Sequence, residues 1–575
     1  MFKRFNWFIK EYKFSYLLAF ILMFANTACD IIAPRLIGRT ADLIARGNLK
    51  LPGLYRNVGI ILLSIVLAYG LTYAYQYLIF RGTDLMGREA RRKLLRKLLV
   101  QGPVFYEKNT TGSLMGKATN DVRNLQDMAG FGMMSLVMST VYPLVIMAVM
   151  AYTISLKMVV LAVGPMVLII IFTRIMGPRL YRLFDVIQRA FDRLNDAVLE
   201  NVNGVRVIRA FNREESEKYR FSQRSKDYYR ANMDQVKISA MFPGVTKVVP
   251  GISYLIAFAY GVYLMSKSQM SLGSLISFTM YLGLLIRPVF IFGEFITVFQ
   301  MASASMDRIW ELWNYKEDVV DKKESIVYKG GTSIVFDDFS FNYSDGSQAL
   351  NGINISLEPG QTLGVVGKIG SGKTTFLKQL LRYYPIKDKS ILLGDRPIED
   401  YKISTIRDKI GYVPQEHILF SKSIRDNLTF GRDYSEDDIQ RALDLSDFAK
   451  DIEKMPKGLE TLVGERGVSL SGGQKQRLSI ARALIKDPEI LILDDSLSAV
   501  DAKTEKNIIR NLVESRAGKT TIISAHRLSG IMHAQEIIVL DEGRIIERGS
   551  HEELVALGGW YHDQFEIQKL EEDDE

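Results

Sequence analysis

The sequence predicts an all-α transmembrane domain of six long helices, followed by an α/β domain built around a phosphate-binding loop. Residues 1–320 contain six apolar runs long enough to span a membrane, about 20 residues each. A G-x-x-x-x-G-K-T stretch lies later in the chain, between a strand pattern and a helix pattern. The first 320 residues carry a net charge of +17 and residues 321–575 a net charge of −9, so the overall +8 describes neither half.

The composition excludes several classes of protein. With 47% apolar residues, 44 Gly and 15 Pro, the chain is neither disordered nor collagen-like. The single cysteine, Cys29, rules out an internal disulfide and a cysteine-rich metal site. No short apolar run followed by a small-residue cleavage site opens the sequence, so we expect no cleaved signal peptide.

Six segments are predicted to cross a hydrocarbon core of about 30 Å. They lie near 14–34, 58–80, 129–155, 158–177, 248–266 and 273–300. Because the number of spans is even, both termini are expected on the same side of the membrane.

The distribution of Lys and Arg among the loops indicates which side this is. Residues 81–128 contain ten basic side chains and residues 174–247 contain fifteen, against one each in 154–157 and 267–272. Five basic residues between positions 35 and 56 oppose this trend. The two long loops still contain 25 basic residues, against seven in the two short loops and the 35–56 segment together, and this difference decides the orientation. We therefore expect a multi-pass protein of the cell membrane with both termini cytoplasmic. The membrane topology and attraction to anionic lipid headgroups explain the excess of basic residues in this half of the chain, so no nucleic-acid partner is expected.

The domain boundaries follow from these patterns. We predict a transmembrane domain at 1–316, a polar linker at 317–332 and the α/β domain at 333–575. Residues 1–13 mix aromatic with basic side chains, a pattern typical of a helix lying in the lipid headgroup layer.

The phosphate-binding loop is the most specific motif of the second half. Gly367, Gly372, Lys373 and Thr374 occupy the motif positions between strand QTLGVVG and helix FLKQLLRYY. Lys368, Ile369, Gly370 and Ser371 fill the loop, and Thr375 follows it. Free backbone N–H groups and the helix dipole favour phosphate, Lys373 is placed for the β- and γ-phosphates, and Thr374 is placed for Mg²⁺.

Two further motifs follow in an informative order. The apolar strand in EILILDDSLS ends at Asp494, where a Mg²⁺-binding carboxylate belongs in a parallel nucleotide-binding sheet. Between the two motifs lies LSGGQKQR, in which Ser471, Gly472 and Gly473 precede a helix pattern and offer a second set of N–H groups.

In this order and spacing the chain resembles the ATP-binding cassette (ABC) superfamily, and specifically half-transporters that fuse six membrane spans to one cassette. The resemblance implies ATP and Mg²⁺ as cofactors and a second half-transporter as partner. It implies that Tyr343 stacks on adenine, that Gln415 senses Mg²⁺ and the attacking water, and that His526 contacts the γ-phosphate. Ser471, Gly472, Gly473 and Gln474 would form the signature that closes over ATP held by the opposite subunit.

The resemblance also covers segments that have no catalytic role. Residues 461–467 (TLVGERG) resemble the segment that touches the partner's cytoplasmic loops, and 498–501 (SAVD) the loop between cassettes. In the membrane half, 105–122 and 199–214 match the coupling segments of the family.

One residue departs from the family pattern. The position after the metal-binding Asp is normally Glu, which polarises the hydrolytic water, but here it is Asp495. The shorter carboxylate falls roughly 1–1.5 Å short, and a misplacement on the order of 1 Å can cost about 100-fold in rate. Hydrolysis at this chain's own loop should be slow. The chain resembles degenerate-site subunits of heterodimeric bacterial multidrug exporters, and a homodimer with two slow Asp495 sites is the alternative.

The membrane half contains candidate substrate residues. Asp30 and Glu294 are acidic side chains within predicted spans, where charge is costly and often functional. Aromatic neighbours available to stack on a cation are Phe290, Phe292, Phe295 and Phe299. Alternatively, Glu294 pairs with Arg287 or with a neighbouring helix. Methionines that could line an adaptable cavity, or serve plain packing, are Met133, Met134, Met138, Met147 and Met150.

The leading functional hypothesis is ATP-driven export of amphipathic, hydrophobic or cationic small molecules. A lipid flippase is the nearest alternative. A non-transporting ATP-dependent sensor or regulator of the membrane is an alternative from a different class, because it would share every cassette motif.

Overall fold

The computed structural model describes residues 2–386, 389–464 and 470–573. The chain forms two compact units. The first comprises Met1–Leu99 and Thr111–Tyr315, and the second comprises Val100–Thr110 and Lys316–Glu575.

The first unit is helical. Its α-helices are α1 (Phe2–Ala45), α2 (Leu51–Leu99), α4 (Thr111–Gly116), α5 (Val122–Asp127), α6 (Met133–Met150), α7 (Leu156–Val163), α8 (Val167–Asn203), α9 (Val205–Ala210), α10 (Glu214–Ser239), α11 (Met241–Ser266) and α12 (Leu272–Trp313). Three π-helical segments, Lys117–Asp121, Met128–Gly132 and Ala151–Ser155, and the 3₁₀ turn Gly164–Met166 join α4 to α8 into one helical run.

Within the described residues, five helical runs are long and apolar enough to cross a membrane. One of them, Thr111–Asn203, has 93 residues and contains two of the predicted spans, 129–155 and 158–177. A straight helix of that length would measure about 140 Å, several times the thickness of a bilayer. Ser155 interrupts the run: its backbone is extended (φ −167°, ψ 125°), and its hydroxyl accepts a hydrogen bond from the N–H of Met158. Two successive membrane spans within this run require a break of this kind. The total of six membrane spans remains a prediction.

The N-terminal residues pack on the protein. Phe5 and Phe8 are 1% and 0% exposed and lie among residues of α2, α5 and α12. The Trp7 ring lies 5.5 Å from that of Trp313, and the Lys93 ammonium lies 3.5 Å from the Trp7 ring centroid. The expectation that this aromatic face lies in lipid headgroups is therefore wrong at Phe5 and Phe8, because α2 and α12 present an apolar surface that covers them.

Helices α1 and α12 approach each other closely at one point. A Cβ built on Gly273 would lie 1.9 Å from the carbonyl oxygen of Gly38, so neither backbone leaves room for a side chain. Asp42 accepts hydrogen bonds from the Gly273 N–H and the Ser271 hydroxyl, both at 2.7 Å. The α1 carboxylate thus satisfies an N–H group at the start of α12 that has no partner within the helix.

This contact gives a prediction for stability. Gly273→Ala should lower the free energy of unfolding by about 1–3 kcal/mol, because two backbones must separate to admit the methyl group. Gly251→Ala, a matched change in α11 with no atom within 4 Å of the new Cβ, should cost nothing. Thermal unfolding of the full chain in detergent measures both variants, and equal midpoints would contradict the close packing.

The second unit contains two β-sheets. Its strands are β1 (Ile334–Asn342), β2 (Gln348–Leu357), β3 (Thr362–Gly367), β4 (Ile391–Leu393), β5 (Arg396–Pro397), β6 (Ile410–Val413), β7 (Ile490–Asp494), β8 (Thr520–Ser524), β9 (Glu536–Asp541) and β10 (Arg544–Gly549). An antiparallel sheet has the order β2-β1-β4-β5, and a larger sheet has the order β10-β9-β3-β8-β7-β6. In the larger sheet all neighbours are parallel except β9 and β10. All five residues of β7 are buried, as expected for a parallel strand covered on both faces.

The second unit also contains α-helices. They are α3 (Pro103–Lys108), α13 (Lys373–Leu380), α14 (Ile403–Lys409), α15 (Ile424–Thr429), α16 (Glu436–Leu445), α17 (Ala449–Glu453), α18 (Gly472–Leu484), α19 (Ala502–Ser515), α20 (His551–Leu557) and α21 (Trp560–Asp573). Two buried clusters pack on either side of the sheet, and a third lies among α15, α16 and α18.

Helix α3 belongs to the second unit although its sequence lies between membrane spans. Val104 packs against the cassette core, and the Tyr384 hydroxyl donates a hydrogen bond to Glu107 Oε1 at 3.0 Å. Burial and the nearby Glu107 raise the pKa of Tyr384, so this phenol stays protonated as a donor. The start of the segment that resembles a coupling segment is thus held by the cassette.

Candidate active site

The phosphate-binding loop connects β3 to α13, as the motif predicts. Gly367 has φ +145°, and a Cβ at this position would lie 2.0 Å from the carbonyl oxygen of Leu540. Gly372 has φ +102° and leaves 2.7 Å between such a Cβ and the carbonyl oxygen of Ala349. Only glycine fits these positions, and the resulting turn exposes backbone N–H groups at the start of a helix, which favours an anion.

Lys373 is buried inside this loop. Its ammonium donates hydrogen bonds to the carbonyl oxygens of Gly367 at 2.7 Å and Lys368 at 2.9 Å. Burial lowers the pKa of Lys373, and Asp495 and Asp494 oppose that shift. The neighbouring Ser371 hydroxyl is buried and has no hydrogen-bond partner among the described residues. A cation, free N–H groups and an unsatisfied hydroxyl in one loop fit a phosphate chain.

Asp494 ends β7 beside the loop and is 1% exposed. Its Oδ1 accepts a hydrogen bond from the Thr374 hydroxyl at 2.8 Å, and its Oδ2 accepts one from Tyr412 at 3.3 Å. Burial raises the pKa of Asp494, while these hydrogen bonds lower it. The hydroxyl of Thr374 and the carboxylate of Asp494 are oxygen ligands of the kind that Mg²⁺ prefers next to phosphates.

The structure brings the three predicted catalytic residues together. Asp495 Oδ2 accepts a hydrogen bond from Gln415 Nε2 at 3.4 Å and lies 3.7 Å from His526 Nε2. Asp495 has a left-handed backbone (φ +47°), which turns the chain directly after β7. Burial raises the pKa of Asp495, and the charges of His526 and Lys373 oppose this shift.

Tyr343 lies beside the same loop. Its hydroxyl shares a hydrogen bond of 2.6 Å with the Thr375 hydroxyl, one residue beyond Thr374. Its ring centroid lies 5.2 Å from that of Phe341 and 5.7 Å from that of Tyr384. The Tyr343 side chain therefore lies next to the phosphate-binding loop, and its stacking on adenine stays a prediction.

The signature residues form the start of α18. The Ser471 hydroxyl accepts from the Gln474 N–H at 3.3 Å, and Gln474 Oε1 accepts from the Ser471 N–H at 3.0 Å, which makes a capping box. Gly472 and Gly473 form the first turn. Among the described residues no hydrogen bond joins these four residues to the phosphate-binding loop, so the structure does not bring the two motifs together within one chain.

Sequence reasoning missed two residues that support the signature. Asp451 accepts hydrogen bonds from Gln474 Nε2 at 3.0 Å and from Arg477 at 2.7 and 3.1 Å. Gln476 Oε1 accepts from the Ala499 N–H at 3.0 Å, which ties α18 to the 498–501 segment. No motif marks an acidic residue on a short helix before the signature. Of the predicted 461–467 segment, residues 465–467 lie outside the described residues.

The two acidic residues predicted in the membrane half lie in different surroundings. Asp30 is half-buried, and its Oδ2 accepts a hydrogen bond from the Tyr142 hydroxyl at 3.3 Å. Glu294 and Arg287 are both exposed, and the described ion pairs do not include one between them. Of the two acidic side chains, Asp30 is thus partly buried with a hydrogen-bond partner, whereas Glu294 is exposed.

A cavity of about 430 Å³ lies between α6, α8 and α12 and is mostly apolar. Its lining includes Thr140, Met147, Met166, Pro288 and Phe292. Of the methionines considered above, Met147 lines this space, whereas Met133 and Met150 are buried in packed clusters.

Comparison with known proteins identifies the class. Residues 16–289 match the family described as "ABC transporter transmembrane region" and residues 350–498 match "ABC transporter". A probable multidrug resistance ABC transporter ATP-binding/permease protein, YheI of Bacillus subtilis (strain 168), is 44% identical over 570 residues, which covers 99% of this chain and 97% of that protein. An ATP-dependent lipid A-core flippase of Idiomarina loihiensis (strain ATCC BAA-735 / DSM 15497 / L2-TR) is 30% identical, covering 99% of this chain and 97% of that protein.

The fold agrees with a solved structure, described as that of a bacterial Atm1-family ABC exporter with ATP bound. The TM-score is 0.81 over 97% of this chain and 99% of that chain, at 24% identity, so this likeness concerns the fold. An apolar helical unit fused to an ATP-binding unit, together with the relatives above, indicates an ATP-driven exporter. The chain belongs to the ABC transporter superfamily, as a half-transporter with one membrane domain and one cassette. It binds ATP and couples its hydrolysis to transport.

The ion pair below the signature gives a prediction. Asp451→Asn should keep an acceptor for Gln474 but remove the charge that faces Arg477, costing about 2 kcal/mol of stability for hydrogen bonds to a charged group. Asp447→Asn removes the partner of Lys450, whose side chain is 72% exposed, and should cost less than about 1 kcal/mol. Thermal unfolding compares the two variants. An equal decrease in stability would contradict a larger contribution from the Asp451–Arg477 ion pair.

Proposed function

We propose that the chain exports amphipathic, hydrophobic or cationic small molecules across the cell membrane, as one half of a dimeric ABC exporter with both termini in the cytoplasm. The cavity of about 430 Å³ carries this proposal, because its apolar lining suits a hydrophobic ligand. The name of the 44% identical relative, a probable multidrug resistance transporter, supports the same substrate class.

Asp30 is the acidic group that we assign to recognition of a cation. Its carboxylate is half-buried within a membrane-embedded helix and hydrogen-bonded to Tyr142. Such a carboxylate is costly in a membrane unless it has a function or a partner. Glu294, which is exposed, is a second and weaker candidate.

At the ATP site we assign Mg²⁺ to Thr374, Asp494 and Gln415. Bound Mg²⁺ supplies positive charge to the β- and γ-phosphate oxygens. Lys373 holds the phosphates, Tyr343 stacks on the adenine, and His526 contacts the γ-phosphate. Gln415 and Asp495 orient the attacking water.

We further propose that hydrolysis at this chain's own phosphate-binding loop is slow. Asp495 reaches Gln415 and approaches His526, but its side chain is one methylene shorter than the Glu usual at this position. The intact signature at Ser471–Gln474 then serves the partner's ATP. These features favour a heterodimer in which the partner contributes a catalytic Glu, and a homodimer with two slow sites is the alternative.

A lipid flippase is the second candidate function. The name of the 30% identical relative from Idiomarina loihiensis supports it. The apolar cavity of the membrane half is compatible with a lipid chain as well as with a hydrophobic drug.

Accumulation of a fluorescent lipophilic cation distinguishes these functions. Cells that lack the gene should accumulate more of the dye than wild-type cells, and the gene carrying Lys373→Met should not restore export, because the loop loses its phosphate-binding cation. Asp30→Asn should restore export only in part for cations and fully for neutral substrates. Unchanged dye accumulation in cells that lack the gene, with ATPase activity that responds to lipid and not to drugs, would favour the flippase.

Replacement of Asp495 tests the slow site. The purified chain should hydrolyse ATP slowly, and Asp495→Glu should raise its turnover by about 10- to 100-fold, because the longer side chain restores the reach to the water. Asp495→Ala is the control that removes the carboxylate and should not raise turnover. Wild-type turnover equal to that of Asp495→Glu would contradict the slow-site proposal.

A further inference from the structure

The loop that carries His526 is held by the C-terminal helix. This loop follows β8 and precedes the 3₁₀ turn Leu528–Gly530. The side-chain amide of Gln568, in α21, accepts a hydrogen bond from the Leu528 N–H at 2.8 Å and donates one to the His526 carbonyl oxygen at 3.0 Å. Both polar atoms of one amide therefore bind the backbone on either side of Arg527.

The opposite side of the loop is held by α19. Glu505 is 3% exposed, accepts a hydrogen bond from the Ser529 hydroxyl at 2.8 Å and lies 3.6 Å from Arg527. Besides the buried side chains of Ala525 and Leu528, the polar contacts that hold the loop are thus a buried carboxylate and a single amide. The amide is the contact made to the backbone of His526 itself.

Open space surrounds this amide contact. A cavity of about 340 Å³ lies between the phosphate-binding loop, the His526 loop and α21, and its lining includes Lys368, His526, Gln564 and Gln568. Ala525 and Leu528, on either side of His526, pack in the hydrophobic core, whereas the His526 side chain is 39% exposed. Close packing does not fill the space beside His526, so its backbone position depends on the hydrogen bond as well as on these two neighbours. Gln564, one turn earlier on α21, faces the same cavity but makes no hydrogen bond to the loop among the described residues.

We propose that Gln568 is a positioning residue for His526 in ATP hydrolysis, and that α21 thereby sets the reactivity of this site from outside the known motifs. The imidazole of His526 lies 3.7 Å from the Asp495 carboxylate, so a shift of the loop changes the geometry of the whole catalytic group. Misplacement of a catalytic group by about 1 Å can cost on the order of 100-fold in rate without loss of ligand binding. Because Gln568 contacts the loop and not the phosphate-binding glycines, ATP affinity should remain.

The test compares three variants of the full-length chain in lipid nanodiscs. Gln568→Ala removes both hydrogen bonds, and Gln568→Glu keeps the acceptor for Leu528 but sets a carboxylate oxygen against the His526 carbonyl. Gln564→Ala is the matched control on the same helix and cavity. Each is made in the wild-type and the Asp495→Glu chain, and kcat and KM for ATP are measured with the thermal unfolding midpoint.

Hydrogen exchange of the peptide covering residues 525–530 provides a readout that does not need turnover. Both Gln568 variants should lower kcat about tenfold at unchanged KM and midpoint, since a population of misplaced loops is inactive but still binds ATP. Gln568→Ala should also speed exchange of the Leu528 amide, and Gln564→Ala should change neither quantity.

Three results would overturn the proposal. The first is a kcat for Gln568→Ala equal to that of Gln564→Ala. The second is a parallel loss of ATP affinity and of the thermal unfolding midpoint in Gln568→Ala, which would mark a purely structural role. The third is an unchanged rate of hydrogen exchange in the 525–530 peptide of Gln568→Ala. If Asp495→Glu fails to raise turnover, the slow-site proposal fails, while the exchange data and the wild-type background still decide the role of Gln568.

Discussion

The parallel pairing of four neighbouring strands is the constraint on which the ATP site depends. In the order β3-β8-β7-β6 all strands point the same way, so their carboxyl ends meet at one edge of the sheet. The phosphate-binding loop follows β3, His526 follows β8, Asp494 ends β7 with Asp495 directly after it, and Gln415 follows β6. Residues that are up to 159 positions apart in the chain, from Gly367 to His526, therefore form one site. The hydrogen bond from Thr374 to Asp494 joins two of these strand ends directly.

This constraint explains which parts of the site could be predicted from sequence. The glycine positions of the phosphate-binding loop and the apolar strand before Asp494 reflect backbone geometry that admits few alternatives, so short motifs identify them. The placement of Tyr343, Gln415 and His526 came from the resemblance to a family, and their proximity to Thr375 and Asp495 is a result of the fold. The sequence motifs thus identified the residues, whereas the sheet order brings them together.

Other residues had no signal in the sequence. Gln568 and Asp451 are polar residues on helices, where such side chains are common and usually face solvent, and their partners are 40 and 26 positions away. Helix α3 lies between membrane spans in the sequence but packs with the cassette, because Val104 and Glu107 find partners there. The aromatic residues Phe5 and Phe8 had the pattern of a lipid-facing surface, and only the positions of α2 and α12 show that protein covers them.

We propose different tasks for the two adjacent carboxylates at the carboxyl end of β7. Asp494 is hydrogen-bonded to Thr374 and Tyr412 and is proposed to hold the metal. The short side chain of Asp495 is proposed to leave the phosphate-binding loop able to hold ATP but slow to cleave it. Photolabelling of the assembled exporter with γ-³²P-labelled 8-azido-ATP tests this most directly. After a chase with unlabelled ATP, we expect the γ-label to persist on this chain when it has been lost from the partner. Equally rapid loss of the γ-label from both subunits would contradict it.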